Sequence, residues 1–176
     1  MKKFQYKIRP AKKTDRSAMA LIYQASYSTV PLSEKWPHAA ALKRVSQLLG
    51  QSDTAGWAVT VFPNVSIGNK TKNIGASPFS SSSFKRKNGG NQVVGFAFLQ
   101  SREGFNGAYG ELLEASIHPY FRKQGIGGAL LTLVRKYQKK KKLKVVYTLA
   151  YKGMFERFYK KSGFKPAKRS MIYVWK

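Results

Sequence analysis

Residues 115–131, ASIHPYFRKQGIGGALL, place a basic turn and three glycines between two apolar runs. This order predicts a strand, a turn and the start of a helix. A helix N-terminus presents unpaired N–H groups and a partial positive charge, so phosphate groups bind there when the backbone can be approached closely. Arg122 and Lys123 add positive charge, and glycines lack the β-carbons that would obstruct the approach. The stretch therefore suggests a pyrophosphate cradle, with its glycines at Gly125, Gly127 and Gly128.

Two better-known phosphate motifs do not fit this stretch. A Walker loop requires Gly-Lys-Ser/Thr at its end. The dinucleotide fingerprint requires G-x-G-x-x-G with an acidic residue further along the chain. The letters GIGGAL match neither pattern. Glycine-rich turns before helices also occur without any ligand, so the assignment depends on the elements around the turn.

Hydrophobic periodicity predicts those elements. Strands are expected in residues 4–11, 56–62, 92–101, 109–118, 144–150 and 168–176. Helices are expected after an N-cap at Thr14-Asp15 and over residues 38–50, 127–137 and 153–163. Strands and helices mixed in this order indicate one central sheet with helices on its faces, an α/β (α+β mixed) fold in a single domain over residues 1–176.

One segment departs from this pattern. Residues 64–91 are dominated by Gly, Ser, Asn and Lys, including SSSS and NGGN. This composition predicts a flexible low-complexity insertion inside the domain rather than a boundary between domains. A mobile loop and a contact site for a macromolecular partner are the two roles that the composition allows.

The chain is strongly basic, with 33 Lys plus Arg against 7 Asp plus Glu and a net charge of +26. Such an excess has three interpretations: contact with RNA or DNA phosphates, contact with an anionic membrane, or a lysine-rich proteome. The lysines are spread over the whole chain, whereas a small nucleic-acid module would concentrate them on one element. Weak contact with a phosphate backbone therefore stays open as a partner hypothesis.

Several classes of chemistry are excluded by residue type. The chain has no cysteine, which rules out disulfides, thiolate metal sites and a cysteine nucleophile. Two histidines make a histidine-rich metal site improbable, so we expect no metal. No apolar run has the length of a transmembrane helix, and MKKFQYKIRP does not read as a signal peptide. We expect a cytoplasmic protein without membrane contact; the oligomeric state is open.

Three stretches carry a family resemblance. ELLEASIHPYFRKQGIGGALL, residues 111–131, resembles the acyl-CoA-binding motif of the GNAT superfamily of acyl-CoA-dependent N-acyltransferases. FERFYKKSGF, residues 155–164, is similar to the family's Tyr-x-x-x-Gly-Phe signature, and residues 6–27 look like its opening strand and helix. Two motifs in the expected order and spacing are far more specific than either alone. The resemblance implies a GNAT-like domain, with a central mixed twisted sheet and helices on both faces.

The resemblance also implies the substrates and the donor site. Acetyl-CoA would be the cosubstrate, and a primary amine on a protein N-terminus, a lysine or a small molecule would attack it directly in a ternary complex. The pantetheine arm would lie between splayed strands at residues 111–117 and 145–149, beside the backbone of Ser116 and Ile117. Lys152 either binds a CoA phosphate or is an ordinary surface lysine. The pyrophosphate would be held by Arg122, Lys123, Gln124, Gly125, Ile126, Gly127 and Gly128.

Three residues are the catalytic candidates. By resemblance, Tyr159 would protonate the departing thiolate; simple aromatic packing is the alternative. Glu111 and Glu114 are the acids near the cleft strand, and either could act as the base that deprotonates the amine. In a regular strand they face opposite sides, although a bulge could switch either one. Both could instead be ordinary solvated or paired acids, with a water chain as the base.

Two further points bear on function. Where the ribosomal-protein N-terminal acetyltransferases have a catalytic Glu, this chain has Tyr147, which weakens an assignment to that subfamily. A second function from another class also fits the charge: a non-catalytic basic module, on an acyltransferase scaffold, that binds ribosomal or other RNA. The lysine run at residues 139–142 suits that alternative.

Overall fold

The computed structural model describes residues 5–29, 32–62, 92–150, 153 and 158–166. In this part of the chain, five strands form one sheet in the order β1-β2-β3-β4-β5. The first four strands pair antiparallel, and β5 pairs parallel with β4. This mixed sheet confirms the predicted α/β fold class. The strands are β1 (Tyr6–Pro10), β2 (Thr54–Val61), β3 (Gln92–Arg102), β4 (Tyr109–Ile117) and β5 (Val146–Tyr147).

Within the described residues, three α-helices cover the two faces of the sheet. They are α1 (Arg16–Tyr27), α2 (His38–Gly50) and α3 (Ile126–Lys140). On one face, α1 and α2 pack against Phe96 and Phe98 of β3. On the other face, α3 packs against Leu99 and Leu112. Because β3 is covered on both sides, Val93 to Gln100 are buried without interruption, as expected for a strand between two apolar layers.

The start of α1 differs in detail from the predicted N-cap. Asp15 precedes the helix, but its carboxylate does not cap it. Instead the carboxylate accepts hydrogen bonds from the Lys12 backbone N–H at 2.8 Å and from both terminal nitrogens of Arg9 at 2.7 and 2.8 Å. A 3-10 turn, Lys13–Asp15, brings these groups together. Asp15 therefore joins the end of β1 to the beginning of α1.

Strand β4 contains a β-bulge opposite β3. Phe98 pairs with Glu114, whereas the next residue, Leu99, pairs with Leu112, so Leu113 is the extra residue. β5 pairs with β4 through two of its residues, Val146 and Tyr147. It is shorter than the strand expected over residues 144–150. After those two pairs, the described part of the chain leaves β4.

The remaining predicted elements fall partly or wholly outside the described residues. The insertion at 64–91 and the last strand at 168–176 are not described. Of the predicted helix at 153–163, the described part ends in a 3-10 turn, Lys160–Ser162, closed by Gly163 with φ of +83°. Left-handed backbone at this position explains the predicted glycine stop. Among the described residues, no helix is long and apolar enough to span a bilayer.

Candidate active site

A cavity of about 670 Å³ lies where β4 and β5 diverge. One wall is formed by residues 113–117 of β4, and the opposite wall by Thr148 and Leu149, which follow β5. The glycine turn and the end of α1 close two further sides. Thr148 also donates a hydrogen bond from Oγ1 to the Leu112 carbonyl at 2.9 Å, which fixes the point of divergence. The cavity is thus a product of the bulge and of the short β5.

The glycine turn sits at the mouth of this cavity. Gly125 has φ of +81° and forms the N-cap of α3, and Lys123 is also left-handed with φ of +61°. The first helical bond runs from the Ala129 N–H to the Gly125 carbonyl at 3.1 Å. The N–H groups of residues 126–128 therefore have no acceptor within the helix. Gly128 has no atom within 4 Å of where a β-carbon would stand, so the backbone is open there.

Gly127 has a different role from its neighbours. A β-carbon at this position would stand 2.6 Å from the ring of Phe158, closer than real contacts allow. The absence of a side chain at Gly127 therefore makes room for an aromatic ring. Ile126 is 1% exposed and anchors the turn in the core. All three glycines line the cavity, and their role in backbone approach to a phosphate stays a prediction.

Arg122 is committed mainly to the protein itself. Its Nε donates to the Ile117 carbonyl at 3.1 Å, and its terminal nitrogens donate to Thr29 Oγ1 at 3.0 Å and to the Ser26 carbonyl at 3.4 Å. Burial lowers the pKa of this guanidinium. Since these acceptors belong to β4 and to the end of α1, Arg122 ties the glycine turn to both elements. Lys123 and Lys161 are the other cations that line the cavity.

The predicted backbone partners of the pantetheine arm also line the cavity. Ser116 is 5% exposed. The Ile117 carbonyl accepts from Arg122 and, at 3.2 Å, from Ser26 Oγ. That carbonyl is thus already engaged, which leaves the backbone between the bulge and Ser116 as the more accessible part of the wall. Gln124 lies half-buried in the turn, and Lys152 lies outside the described residues.

Tyr159 both packs in the core and reaches the cavity. Its ring is 4% exposed and lies edge-on to Phe158 and Phe164, with centroids at 5.1 and 5.4 Å. Burial raises its pKa, a hydrogen bond with Thr148 lowers it, and the charge of Glu114 raises it. A phenol with a raised pKa keeps its proton until a strong base accepts it. Packing and proton donation are therefore compatible in this residue.

Glu114 is a buried carboxylate on the cavity wall, 6% exposed. Oε2 accepts from the Tyr27 hydroxyl at 2.9 Å, and Oε1 from the Tyr23 hydroxyl at 3.4 Å. Arg44 donates to Oε1 from Nε and Nη2, both at 3.2 Å. Burial raises the pKa of Glu114, and the hydrogen bonds and the charge of Arg44 lower it in part. The net result is a carboxylate with a raised pKa inside a cleft, a common property of catalytic bases.

Glu111 is not part of this wall. It pairs with Arg102 at 3.5 Å and lies beside Tyr147, at the closed end where β4 and β5 are still hydrogen-bonded. The charge of Glu111 contributes to a raised pKa of Tyr147, behind burial and a hydrogen bond between the two side chains. Of the two predicted acids, the structure brings Glu114 to the cavity and leaves Glu111 in an ion pair outside it.

The sequence did not reveal the partners of Glu114. Arg44 is 70 positions away from it and stands on α2, and Tyr23 is on α1. Tyr23 is one of the buried residues of α1, at helical spacing from Met19 and Ile22, and no local pattern distinguishes Arg44 from the other cations. Among the described residues, no group of three or more His, Cys, Asp and Glu side chains could hold a metal ion.

The sheet splits beside a glycine-capped helix, which is the arrangement that the family resemblance implies. Residues 84–166 match the model of the acetyltransferase (GNAT) domain family. The match confirms the resemblance carried by the two motifs. The matched stretch thus resembles a GNAT acetyltransferase domain, and the match supports an N-acyltransferase enzyme. A search of curated proteins found no match.

Solved structures show the same fold. A possible acetyltransferase from Clostridium difficile 630 superposes with a TM-score of 0.71 at 14% identity, covering 97% of each chain. The ribosomal-protein-alanine N-acetyltransferase from Brucella melitensis biovar Abortus 2308 gives 0.65 at 14%, covering 97% of this chain and 99% of its own. An aminoglycoside N-acetyltransferase in complex with CoA gives 0.65 at 15%, covering 99% and 97%. Identities this low establish the fold and leave the substrate open.

Proposed function

We propose that the protein transfers an acetyl group from acetyl-CoA to a primary amine by direct attack in a ternary complex. The observation that carries this proposal is the cavity itself. It joins the open amides at the start of α3 to a buried carboxylate, Glu114, and a buried phenol, Tyr159. A donor site and two proton-transfer groups in one continuous space match the needs of acetyl transfer.

The donor would be held by backbone and by cations. The N–H groups of residues 126–128 and the dipole of the 15-residue α3 favour the pyrophosphate. Lys123 and Lys161 add positive charge at the cavity. The pantetheine arm would follow the free edge of β4 from Leu113 to Ser116, where β5 has moved away. An acyl-CoA would thus extend from the helix to the bulge.

The chemistry requires a base, because a lysine-type amine has a pKa of about 10.4 and a terminal amine about 8. The bound ammonium ion would lose one proton to solvent before attack, and Glu114 would accept a second proton from the nitrogen, directly or through one water, as that nitrogen attacks the thioester carbonyl carbon. A pKa raised by burial makes its carboxylate a better proton acceptor than an exposed glutamate. Our candidate for stabilising the developing oxyanion is a backbone N–H at the bulge around Leu113.

The second half of the reaction requires an acid. As the carbon–sulfur bond breaks, the electron pair goes to sulfur, and Tyr159 would donate its hydroxyl proton there. The products are an amide and free CoA. The hydrogen bond between Tyr159 and Thr148 would orient the phenol. After the transfer, Glu114 carries one additional proton and Tyr159 has lost one. Proton exchange with solvent would return both side chains to their starting states.

The acceptor class is the least determined part of the proposal. The compared enzymes include one named for ribosomal-protein alanine and one named for aminoglycosides. Tyr147 stands where the first of these subfamilies has a catalytic Glu, so this chain would need a different base. Glu114, on the neighbouring strand, meets that need. An acceptor screen therefore has to include peptide N-termini, lysine side chains and aminoglycosides.

An acetylation assay tests the proposal. The purified chain is mixed with acetyl-CoA and one of three acceptors: a peptide beginning with alanine, a lysine-containing peptide or an aminoglycoside. Release of free CoA is followed with a thiol reagent. We expect turnover with at least one acceptor, and a loss of about 10²- to 10³-fold in Glu114→Gln. Glu111→Gln is the matched control and should stay close to wild type. Equal rates for wild type and Glu114→Gln would exclude Glu114 as the base.

The RNA-binding alternative remains a prediction from charge. The lysines at residues 139–142 are exposed at the C-terminal end of α3, where cations are also favoured by the helix dipole. They lie at the opposite end of the helix from the glycine turn, about 20 Å away along a 15-residue helix. Phosphate contact at that end would therefore add to acetyl transfer and would not compete with CoA.

A further inference from the structure

The Glu114 carboxylate is held by two different helices. α1 contributes the hydroxyls of Tyr23 and Tyr27, and α2 contributes the guanidinium of Arg44, which reaches Oε1 with two nitrogens at 3.2 Å. Tyr23 and Tyr27 are stacked, with ring centroids 4.3 Å apart and an interplanar angle of 13°. Trp36 packs edge-on against both rings, at 5.0 and 5.9 Å. The hydroxyl donors are therefore fixed by aromatic packing before any substrate arrives.

We propose that Arg44 is a positioning residue of the transfer reaction, which holds Glu114 in one orientation and favours its ionised form. This inference rests on the proposed role of Glu114 as the base. Arg44 is absent from the cavity lining, so it acts through Glu114 and not on the substrate. Tyr27 does line the cavity and supports the other carboxylate oxygen.

The electrostatics of the cluster explain why a cation is needed. Burial is the largest influence on the pKa of Glu114 and raises it; Tyr27, Arg44 and Tyr23 lower it, and Arg44 supplies the charge. The tyrosines stay neutral, because burial raises the pKa of Tyr23 to about 12 and raises that of Tyr27 further. Burial raises the pKa of Tyr159, and the charge of Glu114 also raises it, so this phenol stays protonated as well. Arg44 is therefore the cation that offsets the desolvation of this carboxylate.

The position of Arg44 permits a clean test. Its side chain is 36% exposed, so replacing it does not empty the core. The adjacent Lys43 is exposed on the same helix and carries the same charge. Lys43→Met is thus a matched control for Arg44→Met, since both variants remove one positive charge from α2. Arg44→Lys keeps the charge and should restore part of the function.

The first measurement needs no acceptor. The side-chain carboxyls are labelled with ¹³C-glutamate, and Glu114 is titrated by NMR, with its resonance identified by its loss in Glu114→Gln. We expect its midpoint to move to higher pH in Arg44→Met, because the ionised form has lost its cation, and to stay in place in Lys43→Met. An unchanged midpoint in Arg44→Met would overturn the proposal.

The second measurement links this shift to catalysis. For one acceptor, the acid limb of the pH profile of kcat/KM should move to higher pH in Arg44→Met, with about a tenfold loss at the acid end and recovery at alkaline pH. A uniform loss at every pH would indicate damage to structure and contradict the inference. In the Glu114→Gln background, Arg44→Met should cause no further loss. If Glu114→Gln itself is fully active, the proposed base fails, while the NMR result still decides whether Arg44 controls this carboxylate.

Discussion

At the scale of single residues, the proposed chemistry depends on two buried ionisable groups with raised pKa values. Glu114 and Tyr159 lie on the wall of the same cavity, and the charge of the first raises the pKa of the second. This coupling suits the reaction, because the base must begin deprotonated while the acid must begin protonated. The ionised Glu114 thus favours the protonated state of Tyr159 that the proposed reaction requires.

Tyr159→Phe tests the acid. The change removes one hydroxyl and keeps the ring contacts with Phe158 and Phe164. We expect kcat to fall about 10²-fold with the Kd for CoA unchanged, measured by steady-state kinetics and calorimetry. Tyr137→Phe, whose ring meets Trp57 near the far end of α3, is the control and should keep wild-type turnover. Undiminished kcat in Tyr159→Phe would assign the residue to packing alone.

Sequence reasoning at this scale reached the residues with local signatures. Tyr159 could be found because it lies within a motif, and Glu114 because the chain has few acids. Arg44 could not, since its function arises from a contact between α2 and β4 that no short-range pattern encodes. The choice between Glu111 and Glu114 also required tertiary information: the bulge at Leu113 and the ion pair with Arg102.

At the scale of secondary-structure elements, the packing of α1 against β1 depends on one ion pair. The Asp15 carboxylate is 7% exposed and accepts from Arg9 and from the Lys12 backbone. Burial alone would raise its pKa, but the Arg9 hydrogen bonds and the Lys12 N–H outweigh burial and lower it. Because α1 forms part of the cavity wall, this pair supports the site indirectly.

Asp15→Asn should lower the free energy of unfolding by about 1–2 kcal/mol at pH 7. A folded-state pKa below the ordinary value means that the charged pair stabilises the fold above the ordinary aspartate pKa, about 3.9. That contribution is lost as pH falls through the lower folded-state pKa. Denaturant unfolding of both proteins should therefore show a difference that shrinks on acidification below about pH 4. A difference that stays constant down to pH 2 would refute the role of the charge.

Prediction of the elements succeeded where periodicity is strong and failed where tertiary pairing decides. α2 has the predicted bounds, residues 38–50, and β3 and β4 agree to within one residue. β5 was predicted as seven residues and has two, because the strand leaves its partner to open the cavity. For Gly127 the structure adds a reason that the sequence did not show: the ring of Phe158, from a distant part of the chain, occupies the space of a β-carbon.

At the scale of the whole molecule, the +26 charge and the fold act together. A strongly cationic protein attracts an anionic donor such as acetyl-CoA and repels polycationic acceptors. α3 has an anion-favouring N-terminus at the cavity and a lysine-rich C-terminus away from it. On our proposal, the general charge would bring anions to the molecule, and the position of the open amides would decide where the donor binds.

The central claim is that the open amides at the start of α3 hold the pyrophosphate of CoA. Gly128→Val tests it directly, because a side chain there meets no protein atom within 4 Å and would project beside those amides. Gly50→Val is the matched control, since Gly50 at the end of α2 is equally unobstructed and lies outside the cavity lining. Calorimetric titration with CoA should give wild-type affinity for Gly50→Val and binding about tenfold weaker or more for Gly128→Val. Wild-type affinity in Gly128→Val, or no binding of CoA by the unmodified protein, would contradict the account.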